Sequence, residues 1–474
     1  MSVVLREVAP PVTGVPDAPP PPLPAALYRA RIEAARGRAR AEGLDLLVVW
    51  GDREHSANVA YLTGFDPRFE EALLLVPVAP SAAPSPAPRL LVGNECLGYQ
   101  PDPDVGVAVE LWQDLSLMGQ PRDRSRPLRD ILAEAGARAG ARIGCVGWKT
   151  YSPALLGTGA DARAHAIDVP AYVVDLLREL AGAHDLVVNA TGLLAGVDGG
   201  LRTINEPEQI VHFEYAACVS SAGIMSLLRR VRAGVREDEL ERELDSRGLT
   251  LSCHRMVGVG DKARRGLASA SARTARPGDA LTTAFGVAGA LTCRAGAVAR
   301  GPEDLAPDVR DVLPRLAANY VEVVRAWYGA LRLGATGGEV FAAADAARDA
   351  ALWDFALNPG HYLHLDEWVH SPFVRGGTTA LRSGMVMQAD MIPVSKGPFC
   401  YVNLEDGVAL ADDELRATLA RTAPGMMARV ARRRAYMIDV LGYALDACVL
   451  PLGDTSGWLA PYAADLSRAL TYVA

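Results

Sequence analysis

Short apolar runs alternate with helix-spaced stretches over the first 190 residues, and this alternation limits the folds open to the chain. Leu44–Trp50, Ala72–Val78, Arg89–Val92 and Arg142–Val146 read as buried strands. Arg29–Glu42, Leu128–Ala139 and Tyr172–Leu180 carry helical spacing. Strands interleaved with helices predict an α/β domain, expected over residues 25–190. Residues 1–24 are rich in proline, with Pro19–Pro22 in a row, and are expected to be disordered or extended. A Pro/Ala/Ser loop is expected at Ser81–Pro88.

The pattern changes after residue 200. A long helix is expected at Glu206–Arg232, with Pro207 in its first turn. Glu237–Ser246 reads as a charged amphipathic helix, and Thr250–Ala299 as strands separated by Gly and Pro. Helices follow at Pro314–Leu333 and Glu339–Asp354. Residues 361–410 return to strands and loops, and the tail from Asp412 reads as mostly helical. This is a second, α+β domain over residues 200–474. No simple internal repeat is visible. At 474 residues the chain is too long for one ordinary domain.

Composition narrows the function classes. A net charge of −8 without a basic stripe argues against nucleic acid as a partner. No apolar stretch is read as a membrane span. The 7 cysteines are scattered, odd in number and without a CxxC pair, which fits reduced thiols. The proline-rich start does not resemble a secretion signal, so the expected location is the cytoplasm.

Six short segments resemble the pita-bread family of prolidase, aminopeptidase P and creatinase. They are Asn58–Phe65 within "ANVAYLTGF", Leu201–Glu208 ("LRTINEPE"), Arg232–Leu240 ("RAGVREDEL"), Pro277–Asp279, Gly384–Val386 and Leu404–Asp406. They occur in the family's order across about residues 40–460. The resemblance implies an N-terminal creatinase-like α/β domain, a C-terminal pita-bread α+β domain and a homodimer.

It also implies a site. The family holds two metal ions with two Asp, one His and two Glu, and the ions share a hydroxide. Carried over by position, the two Asp fall on Ala284 and Ala295, eleven residues apart. The His falls on His361, and the two Glu on Asp390 and Glu405. A substrate-facing His falls on Leu267. The expectation is therefore a degenerate metal site, with His361, Asp390 and Glu405 as catalytic residues and no cofactor. The alternative is one divalent ion (Mn, Fe, Co or Zn) on those same three residues.

"GHYLHLDEWVHSPF" adds His364, Glu367 and His370 as substrate-binding candidates. Arg294 is a candidate to bind substrate charge. Phe69 and Glu70 are further candidates, because the matching loop of creatinase-type dimers reaches the partner's site. Cys293 reads either as a nucleophile or as an inert buried thiol. The function implied is hydrolysis or cleavage of a C–N bond in a small amino-acid-like or amine substrate. Two alternatives stay open. One is a mononuclear metal-dependent lyase or oxidative enzyme. The other is an inactive pseudo-peptidase used for binding, as in histone-chaperone relatives.

Overall fold

The computed structural model describes residues 2–78, 85–157 and 165–473. The expected loop Ser81–Pro88 lies partly outside them. The chain forms two compact units, Pro22–Arg202, and Met1–Pro21 together with Thr203–Ala474. The smaller unit is therefore inserted, in chain order, after the first strand of the larger one.

The larger unit opens with strand β1 (Ser2–Glu7). In the smaller unit, strands β2 (Leu46–Gly51), β3 (Ala72–Pro77), β4 (Arg89–Val92), β5 (Ala108–Leu111), β6 (Ile143–Val146) and β7 (Val187–Asn189) form one sheet. Its order is β5-β4-β3-β2-β6-β7. β3 runs antiparallel to both neighbours, and the other pairs are parallel. Central strands are buried on both faces, which is why they read as unbroken apolar runs. Two apolar clusters cover them. One is built on helix Ala25–Ala41 and the other on helices Leu128–Glu134 and Ala171–Ala181.

The larger unit is a curled mixed layer of helices and strands. β8 (Met256–Val259), β9 (Ala280–Val287), β10 (Ala290–Ala297), β12 (His361–Tyr362), β13 (Val386–Asp390) and β15 (Asn403–Leu410) make an antiparallel sheet in the order β12-β13-β15-β10-β9-β8. Strand β16 (Val449–Pro451) also pairs with β15. β11 (Trp353–Phe355) pairs with β14 (Pro393–Ser395). The last strand, β17 (Arg468–Val473), pairs with β1.

Several expectations change. Of the two expectations for the start of the chain, the extended one fits: Ser2–Glu7 is a strand, and Gly14 N donates to Asp454 Oδ2 at 3.0 Å. The tail is not mostly helical, since β16 and β17 follow helices Asp413–Thr422 and Pro424–Ala435. Glu237–Ser246 shortens to Glu237–Glu241, and Glu339–Asp354 to Gly337–Ala347, with β11 beyond. Helix Pro207–Arg230 is long and apolar enough to cross a membrane, contrary to the sequence reading. Yet 78% of its most apolar window is buried in the fold, which marks it as a core helix.

The structure also contains a pseudo-repeat too weak to stand out in the sequence. Helices Pro207–Arg230 and Val312–Ala330 each lead through a left-handed glycine (Gly234, φ 87°; Gly334, φ 83°) into a short helix. Gly234 N donates to Ala275 O and Gly334 N to Leu381 O, both at 2.9 Å. Another left-handed glycine, Gly278 or Gly384, then opens a site strand, β9 or β13. Counting six residues from each glycine makes Ala284 the counterpart of Asp390.

On the sheet face bearing Thr292, which Ser220 of the long core helix bonds at 2.8 Å, Arg294 is buried. Its guanidinium donates to both carboxylate oxygens of Asp406 at 2.9 Å and to the carbonyls of Cys293, Glu405 and Thr455. Arg294→Met leaves Asp406 buried without its cation. We expect a loss of about 3–5 kcal/mol in urea denaturation, most of it recovered when Asp406→Leu is added.

Candidate functional site

The opposite face of the same sheet gathers the acidic residues. Cross-strand partners point to one face, and pairing runs in one line across five strands: Met256, Ala284, Cys293, Glu405, Asp390. Ala295, paired with Thr282, lies in the next row. His361 pairs with Gln388, two residues before Asp390, and so joins the same face.

Local geometry explains how His361 reaches it. Gly360 has φ 106°, and a Cβ there would lie 2.6 Å from Gln388 O, so only glycine lets the strand approach this closely. Beyond it the chain turns back: Val369 N donates to Tyr362 O (3.1 Å) and Tyr362 N to His370 O (2.7 Å). This turn brings Glu367 back to His361, although on a straight strand the two would be separated. Glu367 Oε1 lies 3.1 Å from His361 Nε2. Glu405 Oε1 lies at 3.5 Å and Asp390 Oδ2 at 4.0 Å. Trp368 stacks on the imidazole, with centroids 4.1 Å apart and planes at 20°.

Nδ1 of His361 faces Tyr362 O at 3.2 Å. A carbonyl only accepts, so Nδ1 carries a proton and Nε2 is aimed at the carboxylates. His361 Nε2, Asp390 Oδ1 and Glu405 Oε1 are all buried without a well-aligned hydrogen bond. Buried polar atoms left without an aligned hydrogen bond are costly unless something completes them.

The charges interact strongly. Burial alone would lower the His361 pKa, but Glu367 and then Glu405 outweigh it and hold the imidazolium well above its usual range. Burial would raise Glu367, yet His361 keeps it below the usual carboxylate range. Burial pushes Asp390 up to about 7, against the pull of His361. Burial, and then Asp390, push Glu405 well above its ordinary value.

The other candidates have their own surroundings. Arg294 points away, to the opposite face, held by Asp406 as described above. His364 is buried edge-on against Phe213, with centroids 5.2 Å apart. His370 Nδ1 is 2.9 Å from the Ser371 amide, from which it accepts. Glu70 accepts from Glu95 N and Cys96 N and thereby caps a short turn in its own unit. Phe69 is 62% exposed. Leu267 is 70% exposed, outside the row. Cys293 accepts from Asn403 Nδ2 at 3.3 Å, and burial raises its thiol pKa well above normal, so its chemistry is that of an inert thiol. Sequence reasoning missed Trp368, whose signal was an aromatic residue inside a polar turn.

The half of the row beyond Cys293 is apolar. Met256, Ala284, Leu291 and Cys293 form one cluster, with Cys253 packed against it. Among the described residues, one set of three groups brings a ligand atom each within 4.8 Å of one another: His361, Glu367 and Glu405. An imidazole with two carboxylates suits one ion such as Zn, Fe, Co or Mn.

Residues 212–412 match the model of metallopeptidase family M24. The structure resembles dipeptidase PepE from Mycobacterium ulcerans, at 20% identity and TM-score 0.61, covering 82% of this chain and 94% of that one. It also resembles the prolidase from Pyrococcus horikoshii OT3 (14%, TM-score 0.59, covering 81% and 95%). The Xaa-Pro dipeptidase from Bacillus anthracis gives 17% and 0.58, covering 82% and 96%. No curated protein matches in sequence. The fold is the pita-bread fold of this family, with an α/β N-terminal region.

One pH dependence follows. Asp390 titrates near 7 in the fold against an ordinary 3.8. Between those values the unfolded chain has released a proton that the fold still holds, so stability falls as pH rises. In chelator-treated protein, the melting temperature of Asp390→Asn relative to the native chain is expected to rise from about pH 4 to about pH 7 and then level off. A flat difference would contradict this.

Proposed function

We propose that this chain is an enzyme that hydrolyses a C–N bond in a small amino-acid-like or amine substrate, by His/carboxylate chemistry at His361, Glu367, Asp390 and Glu405. The observation that carries the reading is the convergence of His361, Glu367 and Glu405, one polar atom of each lying within 4.8 Å of the others. Such an arrangement is costly for stability and has value where a substrate or water completes it.

In this mechanism the ionised Glu367 takes a proton from a water molecule as its oxygen adds to carbon, while Asp390 and Glu405 orient that water. His361 holds its proton at Nε2 and delivers it to the departing nitrogen, so that the amine leaves neutral. Trp368 covers one face of the imidazole and limits water there, which strengthens the charge interactions beneath it. The expected homodimer, with Phe69 offered to a partner's site, and a cytoplasmic location remain part of the proposal.

A second reading, a one-metal enzyme such as a lyase or an oxidative enzyme, is favoured by the three convergent ligand atoms. His361, Glu367 and Glu405 would hold the ion, with Asp390 beside it. When bound, the ion supplies Lewis acidity to a coordinated oxygen. Two-metal chemistry of the family type is not supported, because Ala284 and Ala295 offer no ligand where two carboxylates are required.

Two measurements separate these readings. Protein purified without chelators, loaded with Mn, Fe, Co or Zn and desalted, is assayed by elemental analysis. Less than about 0.1 ion per chain sinks the metal reading, and one ion per chain, lost in Glu367→Gln, supports it over the first. In either case His361→Gln is expected to lower kcat/KM on amino-acid amides or dipeptides by about 10²–10⁴-fold. An unchanged kcat/KM in that variant would refute the role given to the imidazole.

A further inference from the structure

Resting on the reading above, we infer that the substrate carries a hydrocarbon group beside its reacting amine, and that this group lies over Met256, Ala284 and Cys293. The row Met256–Ala284–Cys293–Glu405–Asp390 is continuous in the hydrogen-bond register. One end is acidic and faces His361, and the other is hydrocarbon and sulfur. Strands lie about 4.8 Å apart, so the apolar half extends roughly 10 Å from Cys293 to Met256. A small molecule whose reacting group sits at His361 Nε2 must send one substituent along this line.

The repeat in the fold sharpens the point. Its two halves place Asp390 and Ala284 at equivalent positions, so the site carries an acid at one of the two related positions and no charge at the other. The apolar side is also shaped. A Cβ at Gly286 would lie 2.7 Å from Cys253 Sγ and 2.5 Å from Ser252 Oγ, so glycine lets the Ser252–Cys253 segment close against the patch. Ala284 and Met256 keep 9% and 7% of their exposure, and Cys253 is half-buried, so the patch is closely packed with its small opening beside Cys253. A charged substituent placed there would lose its hydration with no counter-charge from Met256, Ala284, Leu291 or Cys293. A hydrocarbon one gains by leaving water. The selectivity expected is therefore for linear or aromatic apolar side chains over charged ones of equal length.

The test is calorimetric titration of the full chain with alaninamide, norvalinamide, norleucinamide and lysinamide, using native protein, Ala284→Asp, Ala284→Leu and Glu367→Gln. In native protein, affinity should rise about fourfold per added methylene, and lysinamide should bind more weakly than norleucinamide. Ala284→Asp makes the patch acidic and Ala284→Leu fills it. Each should flatten the series, with folding checked by circular dichroism. If neither variant folds, the native comparison of norleucinamide with lysinamide still decides. Glu367→Gln should weaken all members by the same factor and leave the slope. A flat series in native protein, with Glu367→Gln still weakening every member, overturns the apolar subsite and leaves the amine reading standing. A slope that survives both Ala284 variants also overturns the subsite. No binding by any amide overturns both.

Discussion

The register between β10 and β15 is the constraint on which the site depends. Cys293 opposite Glu405 places every site residue on one face and Arg294 with Asp406 on the other. A slip of one residue would exchange the faces, burying a guanidinium among the site groups and sending Glu405 into the helix layer. The bidentate Arg294–Asp406 bond opposes that slip from behind. The same guanidinium also holds the carbonyls of Cys293 and Glu405, the paired residues themselves. The backbone beneath the acidic cluster is thus held by groups that never meet it.

That arrangement explains why the cluster tolerates its own electrostatics. Three carboxyl groups and an imidazole share a buried space, and the cost is limited by sharing protons. His361 and Glu367 form the charged pair, while Asp390 and Glu405 are pushed toward their neutral forms. Such a group cannot be read as four independent residues, because each protonation state is set by the others.

Much of this was legible in the sequence, for identifiable reasons. Strands β2, β3, β4 and β6 were visible because central strands buried on both faces leave uninterrupted apolar runs. His361, Asp390 and Glu405 were found through short flanking patterns, and the structure brings them together. Arg294 was misread because periodicity alone does not say which face of a strand a residue occupies until its partner is known. The role of Glu367 depended on a turn whose hydrogen bonds leave no residue signature. The repeat was hidden because its two copies share only glycines and a turn geometry. Glu70 accepts from two backbone amides of its own unit, a contact that no residue pattern announces.

The pairing of β1 with β17 has a consequence for synthesis on the ribosome. Glu7 meets Arg468, about 460 residues later in the chain. At roughly 5–20 residues per second the first strand waits on the order of half a minute to a minute and a half for its partner. During that time Val3, Val4 and Leu5 offer an open edge to any neighbouring nascent chain. Arg6 and Glu7, at one end of that strand, act as gatekeepers against such encounters. The β1–β17 pairing therefore waits until β17 has been made, and a chain cut short before β17 would keep that edge exposed for its lifetime.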